Sequence, residues 1–222
     1  MNIEFDPLFS NAASPFRVFA IEAHIVNHPT SDELWQEIED ARSFIAARYQ
    51  IADLRHRPAI DATRAAYKAL GKEPNRYRPS AEALSRRAVH GVEFYRSLAA
   101  IDLINLVSLL SGHSIGGFDA DKIQGDTLTL GVGREGEPYE AIGRGQLNIQ
   151  GLPVYRDAVG GIGTPTSDND RTKLSPATTR LLMTLNIYGE GEMPTPQVIE
   201  LFRRLLTNYA SATSISIREF AV

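Results

Sequence analysis

Residues 100–123 read AIDLINLVSLLSGHSIGGFDADKI, and the rest of the chain can be placed around this stretch. Its first part, Leu103–Leu110, is apolar on nearly all sides, which predicts a buried helix. Gly112 interrupts the helix, and the pair Gly116-Gly117 predicts a glycine-rich turn that leads into a strand. A helix, a turn and a strand in this order can form the floor of a pocket.

Three small polar side chains lie within the apolar helix. Asp102, Asn105 and Ser108 are spaced three residues apart, so they share one side of the helix and drift slowly around it. Buried polar groups need hydrogen-bond partners. Either neighbouring backbone groups satisfy these side chains, or the side chains line a ligand pocket.

The composition limits the class of protein. The chain has 222 residues, of which 43% are hydrophobic and 23% are charged, as in soluble globular proteins. The lack of cysteine excludes disulfides, thiolate zinc sites and cysteine nucleophiles. A formal net charge of -4 argues against a wholly basic nucleic-acid coat but permits a local basic patch. With no secretory signal and no apolar run of the roughly 20 residues that span a bilayer, we expect a cytoplasmic protein without membrane contacts.

Hydrophobic periodicity predicts a helix-rich first half and a β-rich second half. The helices are expected at Thr30–Tyr49 (with a capping box of Thr30 and Glu33), at Ala59–Leu70, from Ser80 onward, and at Pro196–Tyr209. The strands are expected at Arg17–Val26, Asp126–Val132, Tyr139–Ile142, Gln146–Ile149, Pro153–Asp157 and Ser214–Phe220. The segment Thr178–Tyr188 fits a buried strand and a helix equally well.

The segment Lys68–Arg87 is strongly basic in an otherwise acidic chain. Basic side chains interleaved with an aromatic residue suit a phosphate backbone and a stacked base, although such a run can also be a solvated face. The candidate RNA-binding residues are Lys72, Arg76, Tyr77, Arg78, Arg86 and Arg87. We expect no binding to DNA.

A long polar loop is predicted at Ala158–Leu174. Long loops without secondary structure inside a domain are often functional. The run Asp168-Asn169-Asp170 resembles the start of a calcium loop, but the later ligands and the terminal glutamate of such a loop are missing. We therefore predict no metal site, and no motif indicates a cofactor.

Several groups of residues together resemble a known family. The first groups are Ile101-Asp102-x-x-Asn105, Ser114-Ile115-Gly116-Gly117-Phe118-Asp119-x-Asp121-Lys122-Ile123 and Gly125-Asp126. The later groups are Val154-Tyr155-x-Asp157, Gly160-Gly161-Ile162 and Ser175-Pro176-x-Thr178-Thr179-Arg180. This order resembles the B3/B4 domain of the bacterial phenylalanyl-tRNA synthetase beta subunit, and Arg78–Leu84 resembles the freestanding members of that superfamily.

The resemblance covers roughly residues 55–190. It predicts a single B3/B4-like domain over residues 1–222, in which 1–54 form an N-terminal strand–helix extension and 191–222 a C-terminal helix and strand.

The resemblance implies an α/β fold in which helices flank a central sheet. It also implies an editing site that accepts the 3′ end of a mischarged tRNA and hydrolyses the aminoacyl ester. Such a site needs a side-chain pocket, donors for the oxyanion and a positioned water. The pocket residues that it implies are Asp102, Asn105, Ser108, His113, Gly116, Gly117, Phe118, Gly161 and Thr179.

The sequence departs from the editing pattern at three positions, and at one of them the glutamate that follows the family's glycine pair has no clear counterpart in Thr164–Asp168. Asn105 matches the family asparagine, but Ile104 stands where the family has threonine and Gly116 where it has histidine. His113 lies three residues before Gly116 and could take the place of that histidine. Three carboxylates are candidates to position the water instead: Asp119, Asp157 and Asp168.

Three functions follow from these observations. The first is a freestanding module that binds tRNA and hydrolyses mischarged aminoacyl-tRNA or a related ester in trans. The second is a binding module for RNA or an amino-acid-like ligand. The third is a small-molecule enzyme unrelated to tRNA. No ATP-binding motif of a class II synthetase and no Walker-type loop is present, so the chain is not a complete synthetase.

Overall fold

The structure is a computed structural model that describes residues Met1–Val222. Its six helices are α1 (Pro7–Ala13), α2 (Asp32–Arg48), α3 (Pro58–Ala69), α4 (Ser80–Val89), α5 (Ala99–Ser111) and α6 (Thr195–Tyr209). Its ten strands are β1 (Asn2–Phe5), β2 (Arg17–His24), β3 (Ile115–Asp119), β4 (Thr127–Val132), β5 (Glu140–Ala141), β6 (Gly145–Gln146), β7 (Pro153–Arg156), β8 (Gly161–Gly163), β9 (Arg180–Ile187) and β10 (Thr213–Ala221).

The strands form two four-stranded sheets and one short ribbon. The central sheet has the order β10-β2-β9-β3, and all its neighbours are antiparallel. The outer sheet has the order β1-β4-β7-β8, in which only the β1–β4 pair is parallel. Strands β5 and β6 form the ribbon.

The inner strands β2 and β9 of the central sheet are buried on both faces, and strand β9 shows how. Leu181, Met183 and Leu185 pack in a core that the helices share, whereas Leu182 packs in a core shared with the outer sheet. A strand that is buried on both faces is a continuous apolar run. The periodicity of Thr178–Tyr188 is ambiguous for this reason, and the structure resolves it as a strand.

The helical layer is centred on α5, which is buried on most sides. The C-terminal end of α5 is fixed by a buried arginine from outside the helix. Arg57 Nη1 donates to the Leu109 carbonyl at 3.0 Å, and Nη2 donates to the Leu110 carbonyl at 2.9 Å. The last carbonyls of a helix have no partner within it, so a guanidinium there satisfies them and favours the dipole.

The turn predicted at Gly116-Gly117 is wrong, because both residues lie inside strand β3. They face opposite sides of the sheet at very close distances. A Cβ at Gly116 would lie 2.7 Å from Phe118 Cζ, and a Cβ at Gly117 would lie 2.6 Å from Ile104 Cδ1. Glycine is needed here for close packing and not for a change of chain direction.

The capping box predicted at Thr30 and Glu33 is also wrong. Helix α2 begins at Asp32, and its N-cap is Ser31, whose Oγ accepts a hydrogen bond from the Leu34 N–H at 3.3 Å. Thr30 instead donates its hydroxyl to Asp102 Oδ2 at 2.5 Å. This bond ties the start of α2 to α5.

The mixed α/β class with a central sheet is confirmed, with α2, α5 and α6 on one face and the outer sheet together with α1 on the other. The other expected elements lie within a few residues of their predicted bounds. Strand β1 and helix α1 were not expected, and the predicted loop Ala158–Leu174 contains strand β8. None of the helices is both long and apolar enough to cross a membrane.

Candidate functional site

A cavity of about 250 Å³ lies between the helical layer and strand β3. Its apolar walls are Leu84, Ile101, Ile104, Ile115, Ile142 and Leu174. Its polar lining consists of Ser80, Asn105, Ser108, Thr164, Ser167, Asp168 and Lys173, with Gly117 between the two sets. We call this space the acyl cavity. Apolar walls with a few polar groups are typical of small-molecule sites.

Gly117 joins the floor of the acyl cavity to its acidic group. Because Gly117 has no side chain, the Ile104 side chain packs directly against the helix-facing side of β3 at this position. Its backbone N–H donates to Asp168 Oδ2 at 3.0 Å. The other carboxylate oxygen, Oδ1, makes no hydrogen bond within the protein.

Asp168 has an unusual electrostatic environment. Asp168 is partly exposed at the acyl cavity, and partial burial of its carboxyl group raises its pKa to about 7, although the bond from the Gly117 N–H favours the charged form. No basic side chain forms an ion pair with it. A carboxyl group with this pKa exchanges its proton readily near neutral pH.

The turn before Asp168 is held in place by several elements. Thr164 Oγ1 accepts the Ser167 N–H at 3.0 Å, which closes the turn Thr164–Ser167. The Tyr67 hydroxyl of α3 lies 2.9 Å from Thr166 Oγ1, and the Ser80 N–H of α4 donates to the Pro165 carbonyl at 2.8 Å. The position of Asp168 therefore depends on two helices as well as on β3.

Asn105 and Ser108 both line the acyl cavity but differ in their bonding. Ser108 donates its hydroxyl to the His113 carbonyl at 2.8 Å, so a neighbouring backbone group satisfies it. The Asn105 amide makes no hydrogen bond within the protein and contacts two cavities. Its donors and its acceptor are free for a ligand.

The second cavity, of about 230 Å³, adjoins the first along α5. It shares Leu84, Ile101 and Asn105 with the acyl cavity. Its remaining lining is Trp35, Ile38, Arg87, Phe94, Tyr95, Ser97 and Asp102. We call it the aromatic cavity.

Asp102 contacts the aromatic cavity and not the acyl cavity. Its Oδ2 accepts the Thr30 hydroxyl at 2.5 Å and the Ser97 N–H at 2.8 Å. Burial raises the pKa of this carboxyl group, against these hydrogen bonds, which lower it.

Besides Asp102, five residues of the implied pocket lie outside the acyl cavity. His113 is fully buried behind α5, where burial lowers its pKa to about 4 and neither ring nitrogen has a partner. Gly116 and Phe118 face the outer sheet because they occupy the opposite side of β3 from Gly117. Gly161 packs against Tyr139, and Thr179 is exposed near the start of β9.

Asp119 and Asp157 are also placed outside the acyl cavity, and both have other partners. Asp119 Oδ2 accepts the Thr178 hydroxyl at 2.8 Å. Asp157 pairs with Arg171 through both of its oxygens, at 2.8 and 2.9 Å. Burial opposes that charge, but the Arg171 bonds and three backbone N–H groups hold the pKa of Asp157 below its usual range. Of the three candidate carboxylates, only Asp168 contacts the acyl cavity.

The basic segment divides into bound and free cations. Lys72 is buried, and its Nζ donates to the carbonyls of Asn148 and Gln150 at 3.0 and 2.5 Å. Arg78 and Arg86 pair with the fully buried Glu82, which also binds Arg64 from α3. Three candidate RNA-binding residues thus support the fold.

The remaining candidates of the basic segment are accessible. Arg76 is exposed, and its guanidinium lies 5.6 Å from the ring centroid of the half-buried Tyr77. Arg87 lines the aromatic cavity. Neither arginine has a carboxylate partner within 4.0 Å.

Sequence reasoning missed Ser80, Thr164 and Lys173 as cavity residues. They reach the acyl cavity from the start of α4 and from the loop Ala158–Leu174, which long-range packing brings to β3. The only local signal was the polar composition of that loop. No group of three or more His, Asp or Glu side chains is placed to hold a metal ion.

Comparison with known proteins identifies the family. A sequence profile of the B3/4 domain matches residues 62–191, which confirms the resemblance found in the sequence. Among solved structures, the chain is similar to an N-terminal fragment of the phenylalanyl-tRNA synthetase beta-subunit from Pyrococcus horikoshii, at 12% identity and a TM-score of 0.49. The similarity covers 100% of this chain and 54% of that one, so the chain spans about half the length of the fragment. No curated protein matches the chain significantly. Because the profile covers more than half of the 222 residues, the chain belongs to the B3/4 domain family.

Proposed function

We propose that the chain hydrolyses the ester that links an amino acid to the 3′ end of a tRNA, with the amino-acid side chain bound in the acyl cavity. The observation that carries this proposal is Asp168, a carboxyl group with a pKa of about 7 in the polar part of the acyl cavity, opposite its apolar walls. A general base works best when its pKa lies near the working pH. The shared family with the editing domain supports the choice of substrate.

The first step is the attack of water on the ester carbonyl. Asp168 Oδ2 is held by the Gly117 N–H, so Oδ1 is the atom that accepts a proton from water. The resulting hydroxide equivalent adds to the carbonyl carbon and forms a tetrahedral oxyanion. The amide N–H₂ of Asn105, which has no protein partner, donates to that oxyanion.

The second step breaks the ester bond. The carbon–oxygen bond to the ribose cleaves, and the proton on Asp168 passes to the departing ribose oxygen. The free amino acid and the tRNA 3′ hydroxyl are the products, and Asp168 returns to its charged form. Atoms and charge balance without a metal or cofactor.

The walls of the acyl cavity favour an apolar or aromatic amino acid. Six aliphatic side chains surround a volume of about 250 Å³. An engineered protein cavity of about 150 Å³ already holds benzene, so an aromatic ring and the ester group fit in this one.

The decisive experiment is deacylation of a panel of mischarged tRNAs by the wild-type chain and by Asp168→Asn. We expect the variant to lose about 10²–10⁴-fold in rate, because that is the usual contribution of a general base. Asp121→Asn is the matched control, since Asp121 is 51% exposed and lies outside both cavities. Equal rates for Asp168→Asn and wild type would exclude Asp168 as the base.

A non-catalytic binding module is the second candidate, and the same carboxyl group favours it. With a pKa of about 7, Asp168 is partly protonated at neutral pH and can donate a hydrogen bond to a ligand. The two functions differ in their dependence on pH. Hydrolysis needs the charged base, so its rate rises with pH and levels off above about pH 7, whereas binding through the neutral acid weakens over the same range.

A further inference from the structure

We propose that the aromatic cavity binds a nucleobase with its 5′-phosphate, and that in the substrate this is the terminal nucleotide that carries the aminoacyl ester. The assignment of that nucleotide rests on the proposed function. The binding of a nucleotide as such rests only on the residues of the aromatic cavity.

The aromatic cavity presents ring faces that the fold does not bury. Tyr95 is 83% exposed, and Phe94 and Trp35 are only partly buried. All three contact the same cavity. Stacking of a base on such rings is worth about 1–3 kcal/mol, and it suits any base because every base has a π face.

Arg87 supplies a positive charge beside these rings. Its guanidinium carbon lies 5.1 Å from the Tyr95 ring centroid and 5.7 Å from that of Phe94. It donates to the carbonyl of Glu93 and has no carboxylate partner, whereas the adjacent Arg86 pairs with Glu82. A planar, unneutralised guanidinium can stack on a base and pair with a phosphate.

Asp102 adds a hydrogen-bond acceptor. Both bonds from Thr30 and Ser97 go to its Oδ2, so Oδ1 has no partner within the protein. An acceptor at this place suits the exocyclic amino group of adenine, whereas uracil offers only its single ring N3–H.

The position of the aromatic cavity fits one nucleotide of a larger substrate. It meets the acyl cavity at Asn105, the residue assigned to the ester carbonyl. A molecule whose acyl side chain fills the first cavity would place the alcohol part of its ester at the second. That alcohol part is the terminal nucleotide.

The test uses the only tryptophan of the chain, Trp35, which lines the aromatic cavity. Titration of the wild-type chain with AMP should change the Trp35 fluorescence and saturate, with UMP and adenosine binding more weakly. Tyr95→Ala should weaken AMP binding about tenfold, while Tyr95→Phe should retain it. Arg87→Gln should reduce the affinity for AMP to that for adenosine.

Phe44→Ala is the matched control, because Phe44 is 51% exposed on α2 and lies outside both cavities. No fluorescence change at millimolar AMP, or equal affinities for Tyr95→Ala and wild type, would overturn the inference. The inference would also be overturned if the chain self-associated through Tyr95 and did not bind AMP. If AMP binds as expected and no mischarged tRNA is deacylated, the hydrolytic function fails while the nucleotide site stands.

Discussion

Asp168 lowers the stability of the folded chain at neutral pH, because burial raises the pKa of its carboxyl group. In the unfolded chain its carboxyl group has an ordinary pKa near 3.8, and in the folded chain the pKa is about 7. Between these values the unfolded state loses the proton and the folded state keeps it. The free energy of unfolding therefore falls as pH rises from about 4 to about 7, and the loss is complete above that range.

This reasoning predicts that Asp168→Asn is more stable than the wild-type chain at pH 8, by about 1–4 kcal/mol. The gain should vanish toward pH 4, where the wild-type carboxyl group is protonated in both states. Urea denaturation at the two pH values measures it. Asp121→Asn should show no such gain at pH 8, and a gain for Asp168→Asn that is equal at both pH values would contradict the assigned pKa.

At the level of single residues, the sequence indicated part of the site. Asn105, Ser108, Gly117 and Asp168 were singled out, and the structure brings all four to one cavity. The resemblance also suggested His113, but this residue follows the end of α5, and its ring is fully buried outside the acyl cavity. Which of several carboxylates meets a cavity depends on tertiary contacts that periodicity does not report.

At the level of elements, the sequence predicts a helix or strand more reliably when only one of its faces is buried. Helices α2 and α6 have one buried face, and their apolar spacing located them to within a few residues. Strand β9 is buried on both faces, and strand β3 contains two glycines, so neither shows the alternation of a half-buried strand. Strand β1 has only four residues, too few for a pattern to be recognised.

Helix α4 depends on a buried acidic residue. Glu82 is fully buried and binds Arg64 of α3 at 2.8 Å and Arg86 at 2.9 Å. Removal of one partner from a buried ion pair leaves the other charge without compensation, which costs about 3–5 kcal/mol. Since α4 carries Ser80 and Arg87, this cluster supports both cavities.

We therefore expect Glu82→Ala to lower the free energy of unfolding by about 3 kcal/mol or more. Urea denaturation followed by circular dichroism measures the change. Glu200→Ala, at an exposed position of α6, is the control and should stay within about 0.5 kcal/mol of the wild-type chain. Equal midpoints for Glu82→Ala and wild type would show that the cluster contributes nothing to stability.

At the scale of the whole molecule, few basic side chains of the segment Lys68–Arg87 are free of partners within the protein. The formal net charge is -4. Lys72, Arg78 and Arg86 are bound internally, so the accessible cations of the basic segment are Lys68, Arg76 and Arg87. A basic segment with so few free cations can contact only a few phosphates.

Binding of tRNA should therefore depend weakly on salt. Three phosphate contacts correspond to a slope of about −2 to −3 in a plot of log K against log salt concentration. Arg76→Gln should reduce the magnitude of that slope by about 1. Arg203→Gln, on α6 and outside both cavities, should leave it unchanged. A slope steeper than about −6 in filter-binding measurements would indicate a larger basic interface than this one.

Because the two cavities meet on α5, the spacing of residues along this helix sets the distance between groups bound in them. On α5, Ile101 and Asn105 contact both cavities, Asp102 contacts only the aromatic cavity, and Ile104 and Ser108 contact only the acyl cavity. The positions that belong to one cavity alone are separated by two to six residues, about 3–9 Å along the helix axis. Compounds that join two rings by a short linker match this spacing, and they are the natural starting point for bivalent inhibitors of this protein.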